Sequence, residues 1–453
     1  MAPRHSRPSS VRTESDALGP VEVPFDALYG AQTGRAIANF PISGLAVSRF
    51  PGLLRALAQI KTAAARVNAR LGGLPPEKAR AIERACDEIR AGQHHQHFPV
   101  DVFQGGAGTS TNMNMNEVIA NRGLELMGFP CGDYAELHPN DDVNRSQSTN
   151  DVYPTAVRMA LMTDIQGLMT RLLELAAAFE AKGQDFAGIA KLGRTELQDA
   201  VPMTLGAEMR AYGVTIREDV ERLRATVGLL AEINLGGTAI GTGVAAPDGY
   251  REAVFAELAA ISGLALKPAL DLMEASWDAG VFVHLSGVLK RVATKLSKIA
   301  NDLRLLSSGP RGGLGEIRLP PMQPGSSLMP GKVNPVICEM VNQVAFHVIG
   351  SDVTISFAAE GGQLQLNAFE PIMAFELLQS VSLLANATEV FRLRCVEGIA
   401  ADPDRCRRNL EGSTANFAAL VPTIGYETAS RLAKDMLASG KTWADVQRKL
   451  GGI

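Results

Sequence analysis

The apolar positions of this chain change rhythm along its length. Up to about residue 145, short helical runs alternate with polar loops. From Asn150 the pattern lengthens. Val157, Leu161, Ile165, Leu168, Leu172 and Leu175 recur three or four residues apart, the spacing of one helix face. A second long pattern follows Leu205. The third is the most continuous, through Val281, Leu285, Val288, Leu289, Val292, Leu296, Ile299, Leu303 and Leu306. Stripes of this kind predict core packing in a helix bundle. Between Gly309 and Pro335 a dense scatter of glycine and proline breaks the pattern. Periodicity then resumes, and from about Asp402 a short mixed tail closes the chain. The pattern predicts an all-α fold in three parts. Residues 1–147 form an N-terminal mixed helical domain with a disordered leader, 148–401 a central long-helix bundle that includes the Gly/Pro-rich break, and 402–453 a small C-terminal domain. No repeat of solenoid period is present.

Composition narrows the function classes. The 453 residues are 46% apolar and only 5% aromatic, with a net charge of −4. Acids and bases are interspersed, which disfavours nucleic acid and anionic membrane as partners. The five cysteines contain no CxxC pair, so neither a zinc site nor a disulfide framework is indicated, and a reducing cytoplasmic location fits. No apolar run approaches membrane-spanning length. The start, MAPRHSRPSSVRTES, is basic without an apolar h-region and reads as a disordered leader rather than a secretory signal; an organelle transit peptide is the alternative.

Chemistry concentrates in four polar clusters. GGAGTSTNMNMNEVIANR, Gly105 to Arg122, delivers Thr109 and Ser110 just ahead of a helix, where free backbone amides favour anions. It lacks the lysine of a phosphate loop and the spacing of a dinucleotide fingerprint. Its Asn112, Asn114 and Asn116 are either buried connectors between helices or ligand contacts. HPNDDVNRSQSTND, His138 to Asp151, sets Ser148, Thr149 and Asn150 at the mouth of the first long helix; capping explains one of them, not three. GRTELQDAVPMTLG, Gly193 to Gly206, puts Thr195 and Glu196 before the second long helix. The fourth, GSSLMPGKVNP (Gly325 to Pro335), packs Ser326, Ser327, Lys332 and Asn334 between residues that neither continue a helix nor fill a strand. It reads as a mobile loop carrying a proton acceptor, a cation and an amide, suited to abstracting a proton beside a carboxylate; the alternative is an ordinary surface loop. His94, His95 and His97 invite a metal, but they sit at a helix end without acidic partners, and no metal or organic cofactor is expected.

Helix length bears on assembly. A helix of about 30 residues spans roughly 45 Å. If the first two long helices run antiparallel, Ser148 and Thr195 lie at opposite ends of the bundle, and a symmetric oligomer brings them to one substrate. Sites between subunits are therefore expected.

At these same residues the chain resembles the fumarase/aspartase superfamily along nearly its whole length. The GSSxMPxKxN loop is that superfamily's hallmark and stands complete at Gly325 to Asn334. FPVDVFQGGAGTSTNMN (Phe98 to Asn114), HPNDDVNRSQSTND, LQDAVPMTLG and GQLQLNAFEP (Gly362 to Pro371) resemble its aspartase branch; fumarases carry an NFELN-like run ending in Arg-Pro at the last. The resemblance implies an all-helical homotetramer around a twenty-helix core, with sites drawing on three subunits. It assigns Ser326 as catalytic base and Lys332 and Asn334 to the α-carboxylate. Thr109, Ser148, Thr149 and Asn150 fall to the other carboxylate and the leaving group, and Thr195 to the leaving group. Glu196 departs from the pattern, replacing a His or Gln, while Glu339 matches the acid that partners that histidine in fumarases. The carboxy-terminus looks shorter than usual.

The function so implied is reversible anti elimination of ammonia from L-aspartate to fumarate. The small dicarboxylate passes through an aci-carboxylate held by Thr109, Ser148, Thr149 and Ser327, with Ser110 beside them. Fumarate hydratase, a carbon–nitrogen lyase acting on a substituted aspartate, and a non-catalytic helical scaffold are the alternatives. Intact Ser326, Lys332 and Asn334 weigh against the scaffold.

Overall fold

The computed structural model describes residues 11–450. The helices are α1 (Ala31–Asn39), α2 (Pro51–Arg70), α3 (Pro76–Arg90), α4 (Thr109–Met127), α5 (Thr149–Asp185), α6 (Leu205–Leu230) and α7 (Tyr250–Ser262), then α8 (Gly280–Leu306), α9 (Val336–Glu360) and α10 (Glu370–Arg394), and finally the short α11 (Pro403–Glu411), α12 (Phe417–Ile424), α13 (Tyr426–Ser439) and α14 (Trp443–Leu450). Among the described residues β-structure is confined to two-stranded pieces, the longest being β1 (Val11–Asp16) with β2 (Gly19–Pro24) and β3 (Ala190–Thr195) with β4 (Gln198–Thr204), both antiparallel. The all-α expectation holds. Among the described residues no helix is long and apolar enough to cross a membrane.

The chain divides into two compact units. The first takes the residues through Gln166, Leu223–Gly287 and Gly350–Ser382. Its helices α2 and α3 open on proline, whose missing N–H falls where a helix has no use for one. α4 ends at Gly128 with φ +88, the left-handed stop. α2 is buried along almost its whole length because α3, α4 and α7 pack against it. The leader expectation needs correction: Val11 to Ser15 belong to β1, where Arg12 donates to Glu14 and to the carbonyls of Pro24 and Tyr29. Residues before Val11 lie outside the described residues.

The second unit takes Gly167–Arg222, Val288–Ile349 and the chain from Leu383. Here Phe179 packs edge-on against Tyr212 and Phe391, at 5.5 and 6.2 Å. Asp402 caps α11 by accepting from the Arg405 amide. Phe417, Ala429, Met436 and Val446 form a separate small core, closed by Trp443 against the Phe417 ring.

The stripes read from sequence face inward. All six α5 positions are buried, and on α8 only Val281 and Val288 are half-buried. Each such buried leucine, isoleucine or valine contributes roughly 1.5–3 kcal/mol of transfer free energy. The β3–β4 hairpin was not anticipated; it stands where the sequence suggested only a polar lead-in to α6.

Candidate active site

The first unit carries Thr109, Ser110, Ser148, Thr149 and Asn150. Ahead of α4, Gly106, Ala107 and Gly108 all take positive φ (+87, +53, +89), curling the chain so that Thr109 opens the helix. Gly108 has no substitute: a Cβ there would meet the Tyr153 ring at 2.5 Å. Thr109 is exposed, its hydroxyl donating to the Gly106 carbonyl at 2.6 Å, and Ser110 is half-buried beside it. Asn112, Asn114 and Asn116 prove to be buried connectors. Their amides donate to Thr149 and Asn144, to the His97 carbonyl, and to Asn144 respectively.

Ser148 is the capping residue of its trio, its Oγ accepting from the Asn150 amide at 3.2 Å. Asp151 holds the segment from behind. Its fully buried carboxylate accepts from the amides of Ser148, Gly236 and Thr238, each at 3.0 Å, and burial still pushes its pKa up to about 6. Pro154 lacks the N–H that would bond the Asn150 carbonyl, and the Asn234 amide takes that acceptor at 3.0 Å. Asn150 in turn donates to the Ala239 carbonyl at 2.8 Å. Ser148, Thr149 and Asn150 thus sit in a frame bonded on every side.

The second unit carries the rest. Thr195 and Glu196 are exposed at the tip of the β3–β4 hairpin. The turn residues Glu196 and Leu197 both take positive φ (+54, +64), the conformation that matches a hairpin's twist but disfavours side chains larger than Asn or Gly. The hairpin base is anchored by charge. Lys191, 2% exposed, pairs with Glu208 and Glu316 at 2.6 and 2.9 Å, and Arg194 reaches Glu316 at 2.9 Å. Burial raises the Glu316 carboxyl, but Lys191, Asn409 and Arg194 outweigh it and hold the pKa below its ordinary value.

Ser326, Ser327, Lys332 and Asn334 lie on one loop. Gly325 closes its neck: an ideal Cβ there would fall on the Lys332 carbonyl oxygen, so only glycine lets the two strands of the loop meet. Ser326 is half-buried and accepts from the Leu328 amide at 3.1 Å. Ser327, Leu328, Lys332 and Val333 are exposed, Leu328 by 84%. Glu339 stands in the first turn of α9, half-buried. Among the described residues neither Glu196 nor Glu339 has an ion-pair partner, and the ion pairs of the hairpin stay at its base.

Known proteins resemble this chain along nearly its whole length. Residues 19–350 match the lyase family. The aspartate ammonia-lyase of Pseudomonas aeruginosa is 56% identical, the alignment covering 97% of this chain and 93% of that one. The chain belongs to the lyase family. In this family the fold is shared with a solved fumarate lyase:delta crystallin from Brucella melitensis bound to cobalt, 57% identical with a TM-score of 0.94 over 97% of this chain and 96% of that one. It is shared also with a class II fumarase from Schistosoma mansoni, 34% identical with a TM-score of 0.91 over 98% and 96%. The resemblance to the fumarase/aspartase superfamily read from the motifs is therefore correct.

One expectation is corrected. His94 does have an acidic partner, Glu88, at 2.8 Å, and Arg122 shares that carboxylate. His95 instead meets the Ile89 carbonyl, and the Leu28 amide donates to His97. Each imidazole is committed separately, and among the described residues no group of three or more His, Cys, Asp or Glu is placed to hold a metal. The residues that sequence reasoning missed are the buried ions behind the clusters: Asp151 and Lys61 in the first unit, Lys191 and Glu316 in the second. Asp151 closes the second polar cluster without standing out from it, Lys61 showed only as a charge inside an apolar run, and no motif marks Lys191 or Glu316.

Proposed function

We propose that this chain is a carbon–nitrogen lyase catalysing the reversible anti elimination of ammonia from L-aspartate to fumarate. One observation carries the reading: an exposed, glycine-necked loop with the complete GSSLMPGKVNP sequence, in a chain 56% identical over nearly its full length to an aspartate ammonia-lyase. Ser326 takes the β-proton. A serine hydroxyl becomes an effective base only when charge and amide dipoles stabilise its alkoxide, which closure of the loop over substrate supplies. Lys332 and Asn334 hold the α-carboxylate. Thr109, Ser110, Ser148, Thr149, Asn150 and Ser327 donate to the β-carboxylate as it gains aci character, and they contact the departing amine. Thr195 serves the leaving group, and Glu196 with Glu339 attracts its ammonium charge. The chemistry asks for no metal or organic cofactor.

The same reading makes the enzyme a homotetramer with sites shared between subunits, the chain being organised as 1–147, 148–401 and 402–453. Thr149 opens a helix of 37 residues, about 55 Å long, a length that supports composite sites. Five free cysteines fit a cytoplasmic location. Mixed oligomers of Thr195→Val and Ser326→Ala subunits, each inactive alone, are expected to regain activity; confirmed mixing without recovery would place each site within one chain.

The function is tested by following fumarate absorbance with L-aspartate and then L-malate. The expected result is fumarate from aspartate, with kcat/KM at least about 100-fold above that for malate. Preference for malate, or inertness toward both, overturns the proposal.

A further inference from the structure

Beneath Thr149 lies a polar network that the proposed mechanism leaves unused. Lys61 sits in the middle of α2, within the run LAQIKTAAARV, and is 0% exposed. Its ammonium donates to Asn144 Oδ1 and Gln147 Oε1, both at 2.9 Å. The same Asn144 Oδ1 accepts from two residues of α4, Asn112 Nδ2 at 3.2 Å and Asn116 Nδ2 at 3.1 Å. Asn112 Nδ2 reaches one step further and donates to Thr149 Oγ1 at 3.1 Å. A buried ammonium is unfavourable unless fully paired, and burial pulls this one down to about 7 although Asp151 holds it up. Methionine would fill the same volume without that penalty, so packing alone does not explain a lysine here.

Direction explains it. A lysine ammonium has donors and no acceptor. It therefore compels Asn144 to present its oxygen. Asn112 and Asn116, facing that oxygen, must present their NH2 groups, which leaves Asn112 Oδ1 and Asn116 Oδ1 buried without partners. Those orphaned oxygens are the cost of the imposed direction; with an apolar residue at position 61 each amide would be free to turn over. With the Asn112 NH2 aimed at it, the Thr149 oxygen is an acceptor on its inner side, and its own proton is left to donate elsewhere.

We infer that Lys61 is a positioning residue for the elimination: it fixes the direction of every hydrogen bond from α2 to Thr149, so that the Thr149 hydroxyl proton is held for a substrate carboxylate. The inference rests on reading Thr149 as a carboxylate contact. Lys61 touches no substrate; it acts through Asn144 and Asn112.

Two substitutions test it in the full-length oligomer, with succinate binding measured by calorimetry so that turnover is not required. Lys61→Met removes the source of direction. Asn112→Asp is nearly isosteric but offers only acceptors when ionised, so it draws the Thr149 proton inward; it keeps the test decisive should Lys61→Met fail to assemble. Each is expected to weaken succinate binding about tenfold or more, and to add little to the loss already caused by Thr149→Val. Succinate binding equal to the parent's in these variants, or an undiminished further loss in the Thr149→Val background, overturns the inference. A parent that neither binds succinate nor forms fumarate overturns the underlying function instead, which the same assays distinguish.

Discussion

The frame around Ser148, Thr149 and Asn150 and the loop bearing Ser326 are built on opposite principles. In the frame, backbone amides run to the buried Asp151, Pro154 frees a carbonyl for Asn234, and asparagines from α4 meet Asn144. In the loop, Ser326 accepts one local hydrogen bond, the Lys332 amide bonds the Met329 carbonyl, and residues 327–333 face solvent beyond the close Gly325–Lys332 neck. The difference matches the two demands of the proposed chemistry. Donors that stabilise an aci-carboxylate work best when fixed before substrate arrives, because they then need no reorganisation. A serine base must instead be sealed from water only while substrate is bound, which calls for a segment that moves.

The largest effect that sharpens this contrast is expected from Ser326→Ala. Fumarate formation should fall by about 10³-fold or more, while the thermal midpoint moves by no more than a degree or two, since the side chain holds one exposed contact. A loss of activity under tenfold would remove Ser326 as the base. A large fall in the midpoint would show the loop to be part of the frame.

Glu196→Gln probes the hairpin tip, a third kind of region, exposed but conformationally strained. Aspartate binding should weaken several-fold to tenfold, typical of a lost charge-assisted contact, while inhibition by succinate, which lacks the amine, stays within about twofold. Equal loss for both ligands would mean that Glu196 shapes the pocket and does not recognise the amine.

The smallest effect concerns stability and pH, and it belongs to the frame's unit alone. Glu370, at the start of α10, is buried with Oε2 unpartnered, and burial pushes its pKa up to about 8 although Arg158 opposes the shift. The folded chain therefore keeps this proton from about pH 4.5 to 8 where the unfolded chain has lost it, and stability falls as pH rises through that window. Glu370→Gln removes the titration. Relative to the parent it should gain a few degrees of midpoint at pH 9 over pH 5, on the order of 4 kcal/mol at most. Parallel midpoints at both values would mean that Glu370 is ionised in the fold.

Legibility in the sequence follows the same division. The stripes of α5 and α8 were readable because helical burial repeats along the chain, and the serine loop because Gly and Pro forbid regular structure there. The β3–β4 hairpin was not readable: its turn is Glu196-Leu197, with none of the Asn-Gly chemistry that normally announces positive φ. Asn112, Asn114 and Asn116 stayed ambiguous because their partners, Asn144, Thr149 and His97, come from other segments. Lys61 was invisible for a related reason. A lone lysine in an apolar helix reads as a solvated position until the acceptors that meet it, Asn144 and Gln147, are placed beside it.

Hydrogen exchange of backbone amides, with and without succinate, tests the division between a fixed frame and a moving loop most directly. Amides of residues 325–334 should exchange fast in the free protein and slow at least tenfold when the dicarboxylate binds, while those of Ser148, Asp151, Gly236 and Thr238 are protected in both states. A loop already protected without ligand, or a frame that becomes protected only with it, would contradict the account.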